Sequence, residues 1–328
     1  MCEHEVAYCG CDGSMVVGLC GPDYAYGRTL GGNSPCPPDP VVIAGATLST
    51  LAVFPQSVPE MIAVDATSVY VAGIGSGAVV KVPSAGGLPV TLACGQSQPS
   101  GIAVDGQRVY WTNQGVGDGS VMSVPLDGGT PTTLAADQGA PFSIALDATN
   151  VYWANLTGNR AVMKVPVGGG TPTVLADAGA SLAIAVSGGD VYWVTDSTIM
   201  SVPTAGGTPV TLASRQGGAE FIAVDAANVY WTDGTAGAAI VQVARSGGTP
   251  TTLATATGDA RLALDATNLH YTSIGASTGN AVLRVPLAGG IPTTLVTGQS
   301  APEGIAVDAT SVYWVDTDVG AVMKLTPK

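Results

Sequence analysis

Histidine is almost missing from this chain: His4 and His270 are the only two in 328 residues. With so few imidazoles a Ser-His-Asp triad would have to be built on His270, and the register of the sequence gives it no obvious Ser or Asp partner. A zinc site of several histidines lacks its ligands. Basic residues are scarce as well, with 11 Lys and Arg against 24 Asp and Glu and a net charge of −13. No basic run exists, which makes nucleic acid and anionic lipid poor partners. No run of 18 apolar residues is present, so nothing reads as a membrane-spanning helix. Helical spacing at i, i+3, i+4, i+7 is not sustained anywhere. A phosphate-binding loop of the Walker or dinucleotide type therefore has no helix to open.

What the chain has in abundance is one phrase repeated seven times. Its clearest copy is Gly304-Ile305-Ala306-Val307-Asp308-Ala309-Thr310-Ser311-Val312-Tyr313-Trp314. The Ile recurs at Ile62, Ile102, Ile144, Ile184, Ile222 and Ile305, with Leu262 in its place once, at spacings of 40, 42, 40, 38, 40 and 43 residues. Each unit divides into four short apolar runs bounded by Gly, Pro, Asn and Asp, which read as strands A to D. A period of about 40 residues with four strands per unit predicts an all-β chain, a seven-bladed β-propeller.

The repeated residues have structural work to do. The Gly-Gly pairs between strands C and D supply the positive φ of a tight hairpin turn. The Asp after strand A (Asp65, Asp105, Asp147, Asp225, Asp265, Asp308) is placed to accept a hydrogen bond from the backbone two residues on. The five tryptophans, Trp111, Trp153, Trp193, Trp231 and Trp314, share one position in strand B and are expected in the core. His270 takes the place of a strand B Tyr and is expected to be buried with it.

The two ends of the repeat region fit each other. Residues 45–52 align with the strand D phrase Gly-Gly-Thr-Pro-Thr-Thr-Leu-Ala, whereas the chain finishes its last repeat on a strand C, Ala321-Val322-Met323-Lys324-Leu325. The seventh blade is expected to take its strand D from the N-terminal side, closing the ring and removing the open edge. This divides the chain into a Cys-rich module with a Pro-rich linker, residues 1–44, and a propeller, residues 45–328.

Tyr230-Trp231-Thr232-Asp233 is the tetrapeptide of the YWTD repeats of LDL-receptor-type propellers, and Tyr110-Trp111-Thr112-Asn113 is one residue from it. With the preceding Gly-Ile-Ala-Val-Asp, residues 45–328 resemble those repeats and the related NHL repeats. They differ in count, since YWTD propellers have six blades. The resemblance implies a rigid, mostly non-enzymatic platform that binds protein, peptide or glycan. Propellers of the gluconolactonase and strictosidine-synthase type look similar and can be metal-dependent hydrolases or lyases, and fold alone does not separate the two.

Residues 1–44 hold Cys2, Cys9, Cys11, Cys20 and Cys36, without a Cys-x-x-Cys pair. That usage points to disulfides and an oxidising compartment, extracellular, surface or periplasmic. Cys9-Gly10-Cys11-Asp12-Gly13 resembles the core of Kazal-like modules. Cys94 is the only cysteine elsewhere and the natural partner for the odd one of the five. Met1 leads into Cys2-Glu3-His4-Glu5 with no apolar leader region, so the expectation is a secreted chain whose leader is missing. Asn155-Leu156-Thr157 matches a glycosylation sequon.

The copies differ most in the loops before strand A, which share one face with the B–C loops. Two residues before the Ile stand Glu60, Ser100, Phe142, Leu182, Glu220, Ala260 and Glu303, with Asp259 and Arg261 close by in blade 6. In a closed ring Glu220, Asp259, Glu303 and Glu60 fall on one arc and Phe142 and Leu182 on the other. The expected site is this channel mouth: Glu60, Glu220 and Glu303 as carboxylate ligands for a cation, Ca2+ if a metal, extended by Asn113, Asp118, Asn155, Asp196, Asp233, Asp316 and Asp318. Three functions stay open: a non-catalytic propeller, expected to be a monomer, binding protein, peptide or glycan on this face; a channel-mouth metalloenzyme; and a purely structural surface protein.

Overall fold

The computed structural model describes strands Val6–Cys9 and Met15–Gly18 and residues 41–328, apart from 55–58, 74, 116–118, 178, 180, 196, 235–238, 257, 259 and 276–279. Strands Val6–Cys9 and Met15–Gly18 form an antiparallel pair. The remainder is seven four-stranded antiparallel sheets, each built from consecutive strands except the last. Blade 1, with strands Pro59–Val64, Ser68–Gly73, Ala78–Pro83 and Val90–Ala93, shows the pattern. In blade 7, Pro302–Val307, Val312–Asp316 and Ala321–Thr326 are completed by Thr47–Val53. Leu48 faces Leu325 across that last ladder and Thr50 faces Met323. The expected ring closure is present, and the chain joins the propeller slightly before residue 45. Val42 bridges to Val296, and the Ile43 amide donates to the Leu295 carbonyl at 2.9 Å, on the outer strand of blade 6.

Strands A ring the central channel, each packed against the strand A of the next blade. The approach is close enough to select glycine: a Cβ on Gly304 would lie 2.4 Å from the Glu60 carbonyl oxygen, and one on Gly101 2.4 Å from that of Phe142. Strands B carry the core. All five tryptophans are fully buried, and each sits in a cluster shared between adjacent blades, as Trp231 does with Tyr192 and Val194 of blade 4. A buried aromatic of this size removes roughly 150–250 Å² from water. Three of the indole N–H groups find a carbonyl acceptor 15 residues earlier in the chain. Trp111, Trp153 and Trp314 donate to Gln96, Gln138 and Gln299, each at 3.0 Å.

The Asp of each repeat does more than the sequence indicates. Its Oδ1 accepts the expected amide two residues on, as Asp308 does from Thr310 at 2.7 Å, and a second amide from Ser311 at 2.7 Å. Its Oδ2 accepts the hydroxyl of the strand B Tyr. The pairs Asp65–Tyr70, Asp105–Tyr110, Asp147–Tyr152, Asp225–Tyr230 and Asp308–Tyr313 span 2.7–2.8 Å. In blade 6, His270 Nε2 stands 2.9 Å from Asp265 Oδ2 instead. Blade 4 has Ser187 where this Asp would be, and Arg245 from blade 5 donates to the Tyr192 hydroxyl at 2.6 Å. Among the described residues no helix is long and apolar enough to cross a membrane.

Candidate functional site

The loops before strand A and the B–C loops hydrogen-bond to one another on one face, for example Thr157 N to Gly139 O at 2.9 Å and Gly234 N to Gly217 O at 3.0 Å. The A–B and C–D turns meet on the other, as in Leu126 N to Gln107 O at 3.0 Å. Strand A therefore begins at the loop face, and the residues before its Ile lie at that end of the channel. Most copies start with an irregularity of register between the first residue of strand A and the Ile. Where strand B carries Thr after its aromatic pair, the hydroxyl accepts the amide of the residue just before the Ile. Thr112 does this for Gly101, Thr232 for Phe221 and Thr272 for Arg261, at 2.9, 3.2 and 3.0 Å. The Thr272 amide in turn donates to the Arg261 carbonyl at 3.2 Å, so both backbone groups of Arg261 are held.

Arg261 is the centre of the mouth. Its guanidinium lies 3.7 Å from the centroid of the Phe221 ring, and its Nη2 donates to Glu303 Oε2 at 2.9 Å. The side chains of Arg261 and Glu303 are 13% and 27% exposed, so the pair is little screened by solvent. Glu60, from the next blade, completes the group. Burial pushes its carboxyl above the usual range, the Arg261 charge pulls it down, and the Glu303 charge pushes it up again. Three polar atoms here are buried without a protein partner: Glu60 Oε2, Arg261 Nε and Arg261 Nη1. Inside the mouth a pocket of about 130 Å³ is lined by Met61, Ser143, Ala183, Phe221, Arg261 and Gly304, and by the Ile of six blades, Leu262 included.

The arc expected to be acidic thus has a cation built into it. Glu60 and Glu303 are brought together around Arg261. Glu220 stands half-buried at the start of strand A in blade 5. Asp259 lies outside the described residues, as do Asp118 and Asp196. Phe142 and Leu182 are half-buried on the opposite arc. Among the described residues no three His, Cys, Asp or Glu side chains gather as a metal-binding group. The Arg261 guanidinium holds the place beside Glu303 that a calcium ion would need, so the carboxylates do not fit that ion.

Three of the outer loop residues expected to extend the site, Asn113, Asn155 and Asp316, make hydrogen bonds within and between the loops. Asn113 donates to Gln96 and Ser120, and Asn155 to Gln138 and Asn159. Asp316 is buried, which pushes its carboxyl up, and it accepts the amides of Ser300 and Ala301. Asn155 is 1% exposed, which closes the sequon to a glycosyl group in the folded chain. The Thr272 clamp and the Arg261 stack were missed from sequence; the signal available was the Thr of the strand B phrase, which recurs at Thr112, Thr232 and Thr272.

No family profile matches the chain, and no curated protein matches its sequence. Solved structures match its fold. Virginiamycin B lyase from Staphylococcus aureus superposes with a TM-score of 0.71 at 15% identity, over 86% of this chain and 98% of that one. The WD40 β-propeller domain of Doa1 gives 0.68 at 14% identity, over 86% and 98%. A chain of the nidogen/laminin complex gives 0.52 at 21% identity, over 68% and 94%. At these identities the likeness is one of architecture. It defines the class, a seven-bladed β-propeller, and this chain carries an Arg–Glu–Glu group at its channel mouth.

Proposed function

We propose that the chain is a non-catalytic recognition propeller, secreted or surface-exposed, that binds a protein, peptide or glycan on its loop face around Arg261, Glu303 and Glu60. The observation that carries this reading is the set of buried polar atoms without protein partners at the mouth. Leaving such an atom unpaired costs about 1–3 kcal/mol; three of them belong to one Arg–Glu group here, whereas the repeated Asp–Tyr pairs are satisfied and the indole N–H groups of Trp193 and Trp231 are not. Unpaired donors and an acceptor held just beneath a concave site that Arg261 lines are what a ligand with specific polar groups can complete. The test is capture on glycan and peptide arrays by the full chain and by Arg261→Ala. The expected result is a bound class whose signal falls at least about tenfold in the variant, the size of one lost charged hydrogen bond. Equal capture by both proteins would move the site elsewhere.

A metalloenzyme of the hydrolase or lyase kind is the second reading, favoured by the raised carboxyl of Glu60 beside a guanidinium. The residues do not fit calcium, so its addition at 5 mM, against EDTA, is expected to leave the unfolding midpoint unchanged. Binding at a hundredfold excess over the dissociation constant would instead add about 2.7 kcal/mol. A calcium-dependent rise abolished by Glu60→Gln and Glu303→Gln would restore the metal reading.

An oxidising location is supported by Cys94, which is disulfide-bonded at the end of strand D in blade 1. Strand Val6–Cys9 lies against that same strand D. Peptide mapping without reductant is expected to find Cys94 joined to a peptide from residues 1–44. A free Cys94 thiol in protein from an oxidising compartment would remove this support.

A further inference from the structure

The channel mouth has two chemically different levels. At the rim are the buried, unpartnered N–H groups of Arg261 and the unpartnered Oε2 of Glu60. Below them, further along strand A, lies the ring formed by Ile62, Ile144, Ile184, Ile222, Leu262 and Ile305. A ligand that completes this site needs an acceptor for the guanidinium, a donor for the carboxylate, and an apolar group to rest on the ring. Charge narrows it further. Glu303 already bonds the guanidinium and Glu60 lies within its field, so an incoming carboxylate adds repulsion beside Glu303, and an ammonium meets Arg261. The ligand is therefore neutral. Its inserted part is also small, since the pocket holds only about 130 Å³.

An acetamido group has this set of features in four heavy atoms: a carbonyl, an N–H and a methyl. We propose that the mouth takes the acetamido group of an N-acetylated sugar, with its carbonyl accepting from Arg261, its N–H donating to Glu60, and its methyl on the isoleucine ring. The proposal rests on the reading of the loop face as a binding surface and specifies what that surface takes. The sugar ring is left at the face, where a neutral, half-buried polar side chain such as Gln114, held from below by the buried Ser100 at 3.3 Å, suits hydroxyls. Phe221 is covered by the guanidinium, so selectivity arises from the acetamido group and not from stacking of the sugar on an aromatic face.

The isoleucine ring reports directly on this. The full chain, 13C-labelled at Ile δ1 methyls, would be titrated to 50 mM with N-acetylglucosamine, glucose and N-acetyl-lysine methylamide. N-acetylglucosamine is expected to shift the methyls of Ile144, Ile184, Ile222 and Ile305 with a dissociation constant of roughly 1–10 mM, as befits a single sugar unit. Glucose is expected to leave them in place. Arg261→Ala and Glu60→Ala, each first shown to unfold cooperatively, are expected to weaken the response at least about tenfold. Silence with N-acetylglucosamine, equal shifts with glucose, or unchanged binding in both variants overturns the proposal. Shifts with N-acetyl-lysine methylamide alone overturn the sugar in favour of an acetylated peptide. Array capture with a silent isoleucine ring rejects the acetamido site and leaves the recognition reading standing; silence in both rejects both.

Discussion

Deleting residues 45–54 is expected to abolish the soluble, cooperatively folding monomer. That segment is strand D of blade 7, and without it the edge of strand Ala321–Thr326 is unpaired. An open edge of that length pairs with other chains. The lost packing is large too. Leu51, Ala52 and Phe54 are buried against Val69, Val71 and Tyr313, so the segment joins blade 7 to blade 1 across the point of closure. A fully buried Leu or Phe contributes about 1.5–3 kcal/mol, and whole domains are stable by about 5–15 kcal/mol. Losing the two side chains and the ladder together removes most of that margin. A gentler variant keeps the strand: Leu51→Ala is expected to destabilise by about 2–5 kcal/mol without aggregation at low temperature. Size-exclusion chromatography and chemical unfolding read both, and adding the 45–54 peptide in trans should recover monomer from the deletion. A monomeric deletion variant with an unchanged midpoint would mean that the ring is held without its closing strand.

How much of this was readable beforehand follows the distinction between what repeats and what does not. Asp308, Trp314 and the Gly-Gly pairs answer to demands that every blade makes, so seven copies of the answer expose them. Even there the reading stopped at the chain neighbour: the amide two residues from Asp308 was expected, the Tyr313 hydroxyl five residues on was not. Gln96 and Gln138 escaped notice because the indoles they serve lie 15 residues away, on the far side of strand A. The mouth is harder, because it is made where copies depart from one another. Spacing placed Glu60 and Glu303 on one arc correctly. It could not show that Arg261, one position further along strand A, leans between Phe221 on one side and Glu303 on the other. That geometry depends on the Thr272 clamp and on the stagger between neighbouring blades, neither of which is written in a single repeat. A cluster of acids read as a cation site became a site with its cation covalently in place.

His270→Tyr is expected to remove the acid sensitivity that the imidazole gives blade 6, the other blades having Tyr at this position. His270 is fully buried, bonded through Nε2 to Asp265, with its Nδ1 left without a partner. Burial lowers its pKa below 6.5, the charges of Lys328 and Arg284 act the same way, and Asp265 opposes them. Asp265 is itself held low: burial would raise it, but the Lys328 ammonium at 2.8 Å, the Thr267 and Asn268 amides and His270 outweigh that. Both groups thus take up protons less readily in the folded chain than in the unfolded one. Stability they confer is present above the unfolded pKa and is lost as pH falls, first through His270 below about pH 6.5 and then through Asp265 below about 4. A single proton bound only on unfolding gives a slope approaching about 1.4 kcal/mol per pH unit. Tyrosine at this position restores the hydroxyl–carboxylate pair seen in five other blades and does not titrate in that range. Urea unfolding of the two proteins at pH 7.5, 6.0 and 5.0 is expected to show similar stabilities at the highest pH, within about 1 kcal/mol, and a widening advantage for the variant below 6.5. Parallel curves for the two proteins down to pH 5 would show that His270 takes up its proton within the fold, and that the blade tolerates a charge where its neighbours keep a phenol.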